Sequence, residues 1–203
     1  MSTNPGSLAG ANFEAASQFN MVLATGRQVQ ALEDPGSGSA PDVESGTRES
    51  SGPAIHLPVV LLVEDDPADA RLIMRAIERV KIPARVVHVK NGDDAVSYLA
   101  GTEQYGDRKK YPLPYLVLMD VKLPRRWGLE VLQWMRSQKS GVERVPVVML
   151  TSSQEAVDIR QAYDFGVNSY LVKPENTDQL LRMVSVLKEY WFSLNQAPPE
   201  QRD

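Results

Sequence analysis

Cysteine is absent from this chain. Its absence excludes disulfides, thiolate nucleophiles and cysteine-ligated zinc. Histidine is almost absent as well. His56 and His88 are the only two, too few and too far apart for a histidine metal site. Positive charge is not in excess: 22 Lys and Arg stand against 26 Asp and Glu, for a net charge of -4. Without a clustered basic face, a nucleic-acid partner is not expected. No apolar run approaches the roughly 18–20 residues that a membrane span needs. The N-terminus also lacks a charged start followed by a continuous apolar stretch. The expectation is a cytoplasmic protein with no nucleic-acid and no membrane partner.

What is present suits a packed domain. The chain has 203 residues, 42% of them hydrophobic and 24% charged. The stretch EDPGSGSAPDVESGTRESSGP (33–53) is rich in Gly, Ser, Pro and acids. It cannot bury enough apolar surface to offset its ordering entropy, so disorder is expected. Ahead of it, residues 13–33 have weak helical potential, interrupted by Thr25 and Gly26. The expected organisation is a disordered extension over 1–54, a folded domain over 55–195 and a flexible tail over 196–203.

From Leu57 onward, short apolar runs alternate with helical patterns. LPVVLLVEDD, ARVVHVK, YLVLMD, VPVVMLTSS and VNSYLVKP read as strands. Most are apolar throughout, as in parallel strands buried on both faces. Between and after them, PADARLIMRAIERV, NGDDAVSYLA, RRWGLEVLQWMRSQ, QEAVDIRQAYDFG and ENTDQLLRMVSVLKEYWFSL read as helices. YGDRKKYPLP reads as a polar loop. Strict alternation predicts an α/β fold: a doubly wound, five-stranded parallel sheet with helices on both faces. In such sheets the ligand crevice lies beyond the carboxyl ends of the strands.

Those carboxyl ends carry the chemistry. The first strand ends in Glu64, Asp65 and Asp66, the third in Asp120, the fourth in Thr151 and Ser152, the fifth in Lys173. Clustered carboxylates repel unless a cation neutralises them, and hard oxygens suit Mg²⁺. A carboxylate can attack phosphorus to form an aspartyl-phosphate. A metal, an ammonium and a hydroxyl can each stabilise one oxygen of a transferring phosphoryl group.

The segments LLVEDDP, LVLMDVKLP, VVMLTSS and NSYLVKP, in that order and spacing, resemble the receiver domain of two-component response regulators, a flavodoxin-like fold. AYDFGVNSYLVKP and EYWFSL further resemble single-domain regulators of bacterial phytochrome kinases. The resemblance implies Asp120 as phosphoacceptor and Mg²⁺ as cofactor. It implies Asp65 and Asp120 as direct metal ligands, joined by the backbone carbonyl of Lys122, with Glu64 acting through water. Thr151 and Lys173 would contact the phosphoryl group, and Thr151 with Tyr170 would form the switch. The implied partner is a sensor histidine kinase, a bacteriophytochrome in the narrower resemblance. The domain would be a phosphoacceptor rather than an enzyme, with at most self-dephosphorylation. Three features depart from the family pattern: Glu64 replaces a commoner aspartate, Arg125, Arg126 and Trp127 follow the acceptor, and Glu175 follows Lys173 and Pro174 where many relatives have an aromatic residue.

Two alternatives are weaker. An aspartate-nucleophile phosphatase usually carries a second acid two residues after the nucleophile, where this chain has Lys122. A pure interaction module leaves the acidic constellation without a use. No DNA-binding output domain is expected. Finally, the last helix carries two apolar stripes. Leu180, Val184, Leu187 and Trp191 suit the sheet. Met183, Val186, Tyr190 and Leu194 suit a second surface, which favours a homodimer through this helix.

Overall fold

The computed structural model describes residues 57–196, all within one of the chain's two units, Ser51–Asp203. The expected disordered extension, the weak helix at 13–33 and the tail beyond residue 196 lie outside the described residues.

Five strands alternate with five helices: β1 (Val59–Val63), α1 (Pro67–Arg79), β2 (Arg85–Val89), α2 (Gly92–Ala100), β3 (Leu116–Met119), α3 (Gly128–Ser137), β4 (Val147–Thr151), α4 (Ala156–Asp164), β5 (Ser169–Val172) and α5 (Thr177–Glu189). The sheet order is β2-β1-β3-β4-β5 and every pairing is parallel. This is the expected doubly wound sheet. Because successive side chains in a strand point to opposite faces, each central strand feeds two cores. Val59, Leu61, Val63, Val117, Met119, Val147 and Met149 pack under α2, α3 and α4. Val60, Leu62, Leu116, Leu118, Val148 and Leu150 pack under α1 and α5. Continuous apolar runs are thus the sequence signature of strands covered on both sides. Of the two stripes on the last helix, Leu180, Val184, Leu187 and Trp191 are buried; of the second, Val186, Tyr190 and Leu194 are exposed, while Met183 is half-buried against the same core as the first.

Local chemistry starts the helices. Asp66 caps α1 by accepting from the amides of Ala68 and Asp69, with Pro67 in the first turn. Asn91 and Asn176 cap α2 and α5 in the same way. Three boundaries differ from expectation. Helix α3 begins at Gly128 rather than at Arg125, because Arg125 has φ 67 and the Glu130 side chain caps the Trp127 amide. Helix α4 begins at Ala156 rather than Gln154 and has no side-chain cap. Helix α5 does not run regularly to Leu194: Tyr190–Leu194 widens into a π turn, closed by Asn195 N on Tyr190 O at 2.7 Å. Within that turn the Trp191 carbonyl accepts from the Tyr115 hydroxyl at 2.6 Å.

The segment read as a polar loop is half-buried. Tyr105 and Tyr111 meet Tyr98 of α2 and each other edge to face, with centroids 5.1–6.0 Å apart. Arg108 folds back to donate to the carbonyls of Tyr98 and Leu99 at the end of α2. Tyrosines supply the apolar area there, and the arginine satisfies the orphan helix carbonyls.

Candidate functional site: an acidic crevice around Lys173

The sheet order reverses direction between β1 and β3, and the crevice outside such a switch point is where ligands bind. β1 delivers Glu64 there, and β3 delivers Asp120. From β5, on the far side of β4, Lys173 reaches back across the top of the sheet. Its Nζ lies 2.6 Å from Asp120 Oδ2 and 2.6 Å from Glu64 Oε2. A third carboxylate, Asp69 on the first turn of α1, stands 2.9 Å from the same nitrogen. Glu64 is 1% exposed, Asp120 6%, and the Lys173 side chain 12%.

Burial sets the electrostatics. It pushes the Glu64 carboxyl up to about 7, and the hydrogen bond from Lys173 recovers part of that rise. Burial by itself would lower Lys173; its hydrogen bonds to Asp120, Glu64 and Asp69 outweigh this and raise it above the ordinary lysine value. The ammonium is therefore firmly charged, and the carboxylates around it are crowded. Asp120 is held at both oxygens, since Oδ1 accepts from the amide of Lys122 at 3.1 Å. Gly128 lets the start of α3 pass against the backbone of Asp120: a Cβ there would lie 2.0 Å from the Asp120 carbonyl oxygen.

Asp65 sits exposed just beyond Glu64. Among the described residues no three acidic or histidine side chains are grouped closely enough to hold a metal as they stand. Glu64 and Asp120 are turned onto Lys173 instead. In kind, however, the donors fit a hard divalent cation: carboxylate and carbonyl oxygens without sulfur or imidazole. A cation would also relieve the crowding that burial imposes on Glu64.

The fourth and fifth strands supply a second group of contacts. Thr151 is fully buried, and its Oγ1 accepts from the Ser153 amide at 3.2 Å. The Tyr170 hydroxyl donates to the Ser153 carbonyl at 3.1 Å. Thr151 and Tyr170 are thus joined through one residue. Burial raises Tyr170 above the ordinary phenol value, offset in part by that hydrogen bond.

Sequence reasoning converged Glu64, Asp65, Asp120, Thr151 and Lys173 on one crevice; the structure joins Glu64, Asp120 and Lys173 in direct contact, while Asp65 is exposed beside Glu64 and the Thr151 hydroxyl is engaged with the Ser153 amide. Sequence reasoning missed Asp69, Ser153, Asp158 and His88. The His88 ring donates from Nε2 to the Glu64 carbonyl oxygen at 2.8 Å, securing the end of β1 from β2. Asp66, read as an extension of the acidic cluster, instead spends its carboxylate on the helix cap. Its two amide hydrogen bonds, that of Asp69 first, lower its carboxyl below the usual value. The available signal for Asp69 was its place three residues after that cap, in a first helical turn at the mouth of the crevice.

A doubly wound parallel sheet with buried acids and a lysine converging at its switch point defines a class of phosphoacceptor signalling domains. The chain belongs to the response regulator receiver domain family, whose model it matches over residues 60–185. It is 43% identical over 141 residues to a probable methanogenesis regulatory protein, FilR2, of Methanothrix harundinacea, covering 69% of this chain and 87% of that protein. It is 35% identical over 134 residues to response regulator Rcp1 of Synechocystis sp., covering 66% of this chain and 88% of that one. Among solved structures, the phosphorylated cyanobacterial phytochrome response regulator RcpA superposes with TM-score 0.65 at 37% identity, over 71% of this chain and 99% of RcpA. The Mn(2+)-bound form of Rcp1 does so with TM-score 0.63 at 32% identity, over 70% and 99%. This chain is therefore a two-component receiver similar to phytochrome response regulators.

Proposed function

We propose that the receiver unit, 55–195, accepts a phosphoryl group on Asp120 from a phosphohistidine of a sensor kinase. The observation that carries this reading is the Lys173 ammonium 2.6 Å from a buried Asp120 carboxylate at the switch point. In the transfer a carboxylate oxygen of Asp120 forms the new P–O bond. The N–P bond to the kinase histidine breaks, and its electron pair stays on the imidazole. Lys173 neutralises charge on the transferred group, and the Thr151 hydroxyl, at the end of β4, donates to one of its oxygens.

Glu64, Asp65, Asp120 and the Lys122 carbonyl are the residues that would hold a divalent cation, Mg²⁺ in this reading. When bound, such an ion supplies charge neutralisation for the incoming phosphoryl oxygens. The Mn(2+)-bound form of Rcp1 supports a metal of this class. The domain signals by population shift rather than by turnover, with at most self-dephosphorylation. Withdrawal of the Thr151 hydroxyl toward a phosphoryl oxygen would break its bond from the Ser153 amide, and Ser153 carries the Tyr170 contact. Those are the means by which occupancy of Asp120 reaches the β5 surface.

The likeness to phytochrome response regulators makes a phytochrome-type histidine kinase the proposed donor, with the cytoplasm the proposed location of this domain. No helix among the described residues is long and apolar enough to cross a membrane. The exposed stripe of Val186, Tyr190 and Leu194 is the proposed contact with a second copy. The decisive experiment is labelling by acetyl phosphate with Mg²⁺: wild type takes the label and Asp120→Asn does not. Label persisting in Asp120→Asn refutes the assignment. Sedimentation of Val186→Glu against wild type tests the dimer, which should dissociate.

A further inference from the structure

We propose that Asp69 is a positioning residue for phosphotransfer, anchoring the Lys173 ammonium at the crevice when its other two partners are engaged elsewhere. The proposal rests on the phosphoacceptor reading above and adds a residue that reading does not use.

A lysine ammonium has three protons, and here each has a carboxylate: Glu64 Oε2, Asp120 Oδ2 and Asp69 Oδ2. Two of those partners have other work in the proposed reaction. Asp120 becomes an acyl phosphate, a mixed anhydride whose negative charge lies on the phosphoryl oxygens rather than on the carboxyl group. Glu64 is among the residues that would hold the divalent cation, through water. Neither can then hold Lys173 as it does here, so the four rotatable bonds of its stem have to be restrained from elsewhere for the ammonium to meet the phosphoryl oxygens. Asp69 is the one partner committed to neither task.

Its placement suits that role. Asp69 stands on the first turn of α1, and its amide is held by the Asp66 cap at 2.9 Å. Ile73 and Ile77 of the same helix are buried against the sheet. The carboxylate is therefore carried on a docked, capped helix rather than on a loop. Its side chain is 41% exposed, so its charge costs little desolvation. An ion pair between two exposed groups contributes little. This pair differs because the lysine end is largely buried and the contact joins residues 104 apart in sequence. It ties α1 to the end of β5, across the mouth of the site.

The test uses the full chain and two readouts. The first is exchange of the Lys173 ammonium protons with water by NMR, in metal-free protein without phosphoryl donor. The second is the rate of labelling by acetyl phosphate at saturating Mg²⁺. In Asp69→Asn, ammonium exchange should quicken and labelling should slow, each by about three- to ten-fold. Asp69→Glu, which restores the charge on a longer arm, should recover most of both. Amide spectra verify the fold, and Asp69→Ala decides the matter should Asp69→Asn fail to fold. Labelling that is unchanged or faster in Asp69→Asn overturns the proposal, and so does slowed labelling with unaltered ammonium exchange. A wild-type chain that takes no label sinks the phosphoacceptor reading itself. A labelled wild type with an indifferent Asp69→Asn sinks this proposal alone.

Discussion

Ser153 and Asp158 share a hydrogen bond of 2.5 Å, donated by the serine hydroxyl to Asp158 Oδ2, and both residues are buried. The bond fastens the segment after β4 to the first turn of α4, which lacks a side-chain cap of its own. Ser153→Ala leaves the Asp158 carboxylate without that donor. The expected loss is about 1–3 kcal/mol, the cost of a buried acceptor left unsatisfied. The exposed neighbour Ser152→Ala should change stability far less. Urea midpoints of the two variants measure the difference, and equal midpoints refute the argument.

Lys173→Met removes the one cation from among Glu64, Asp69 and Asp120. Breaking a buried pair from one side leaves charge uncompensated, with an expected cost of about 3–5 kcal/mol. The deficit should shrink in acid, as the crowded carboxyls take up protons. Guanidinium denaturation at neutral and acid pH checks both parts. A variant as stable as wild type at neutral pH contradicts the assigned charge balance.

Glu64 gives metal-free protein a definite pH dependence. Its carboxyl rises from an ordinary value of 4.5 to about 7 on folding, chiefly through burial. A raised acid binds its proton more tightly in the folded state. Its stabilising contribution is complete below the unfolded value and is lost as pH rises through the folded one. The melting temperature of metal-free protein should therefore carry a falling component between about pH 4.5 and about pH 7. Glu64→Gln should remove that component. An identical pH profile in wild type and variant rules it out.

Gly128→Ala places a methyl group 2.0 Å from the Asp120 carbonyl oxygen. Backbone cannot yield as a flexible side chain would, so overpacking should cost about 1–3 kcal/mol. The displaced Asp120 should also label more slowly. Gly106→Ala is the control, because a Cβ there meets its nearest neighbour at 3.6 Å. Thermal melts and acetyl phosphate labelling, run on both variants, separate local strain from a general effect of alanine.

Much of the fold was legible because burial on both faces leaves a direct trace in sequence. Strands β1 and β3 are apolar at every position and β4 at all but its last, Thr151, and helical periodicity separates the strands along the chain. The acids, the threonine and the lysine at strand ends were legible for a related reason: polar groups ending apolar runs must emerge at a sheet edge. Boundaries were less so. The start of α3 depends on Arg125 adopting a positive φ, and the end of α5 on a widened turn around Trp191. Neither leaves a periodic signal. The tyrosine cluster after α2 was hidden by the charged residues between its members, one of which, Arg108, proves to be folded inward.

The sequence by itself determined the order and type of the elements and the chemical identity of the residues at the strand ends, since hydrophobic period and residue type are local properties. Tertiary structure alone decided which of those residues meet. The sheet order sets β1 beside β3 and carries Lys173 over from β5, so one ammonium serves Glu64, Asp120 and Asp69 together. Asp69 joins them only because α1 docks with its first turn facing the crevice. Such a meeting depends on the packing of segments distant in sequence, and no local pattern encodes it.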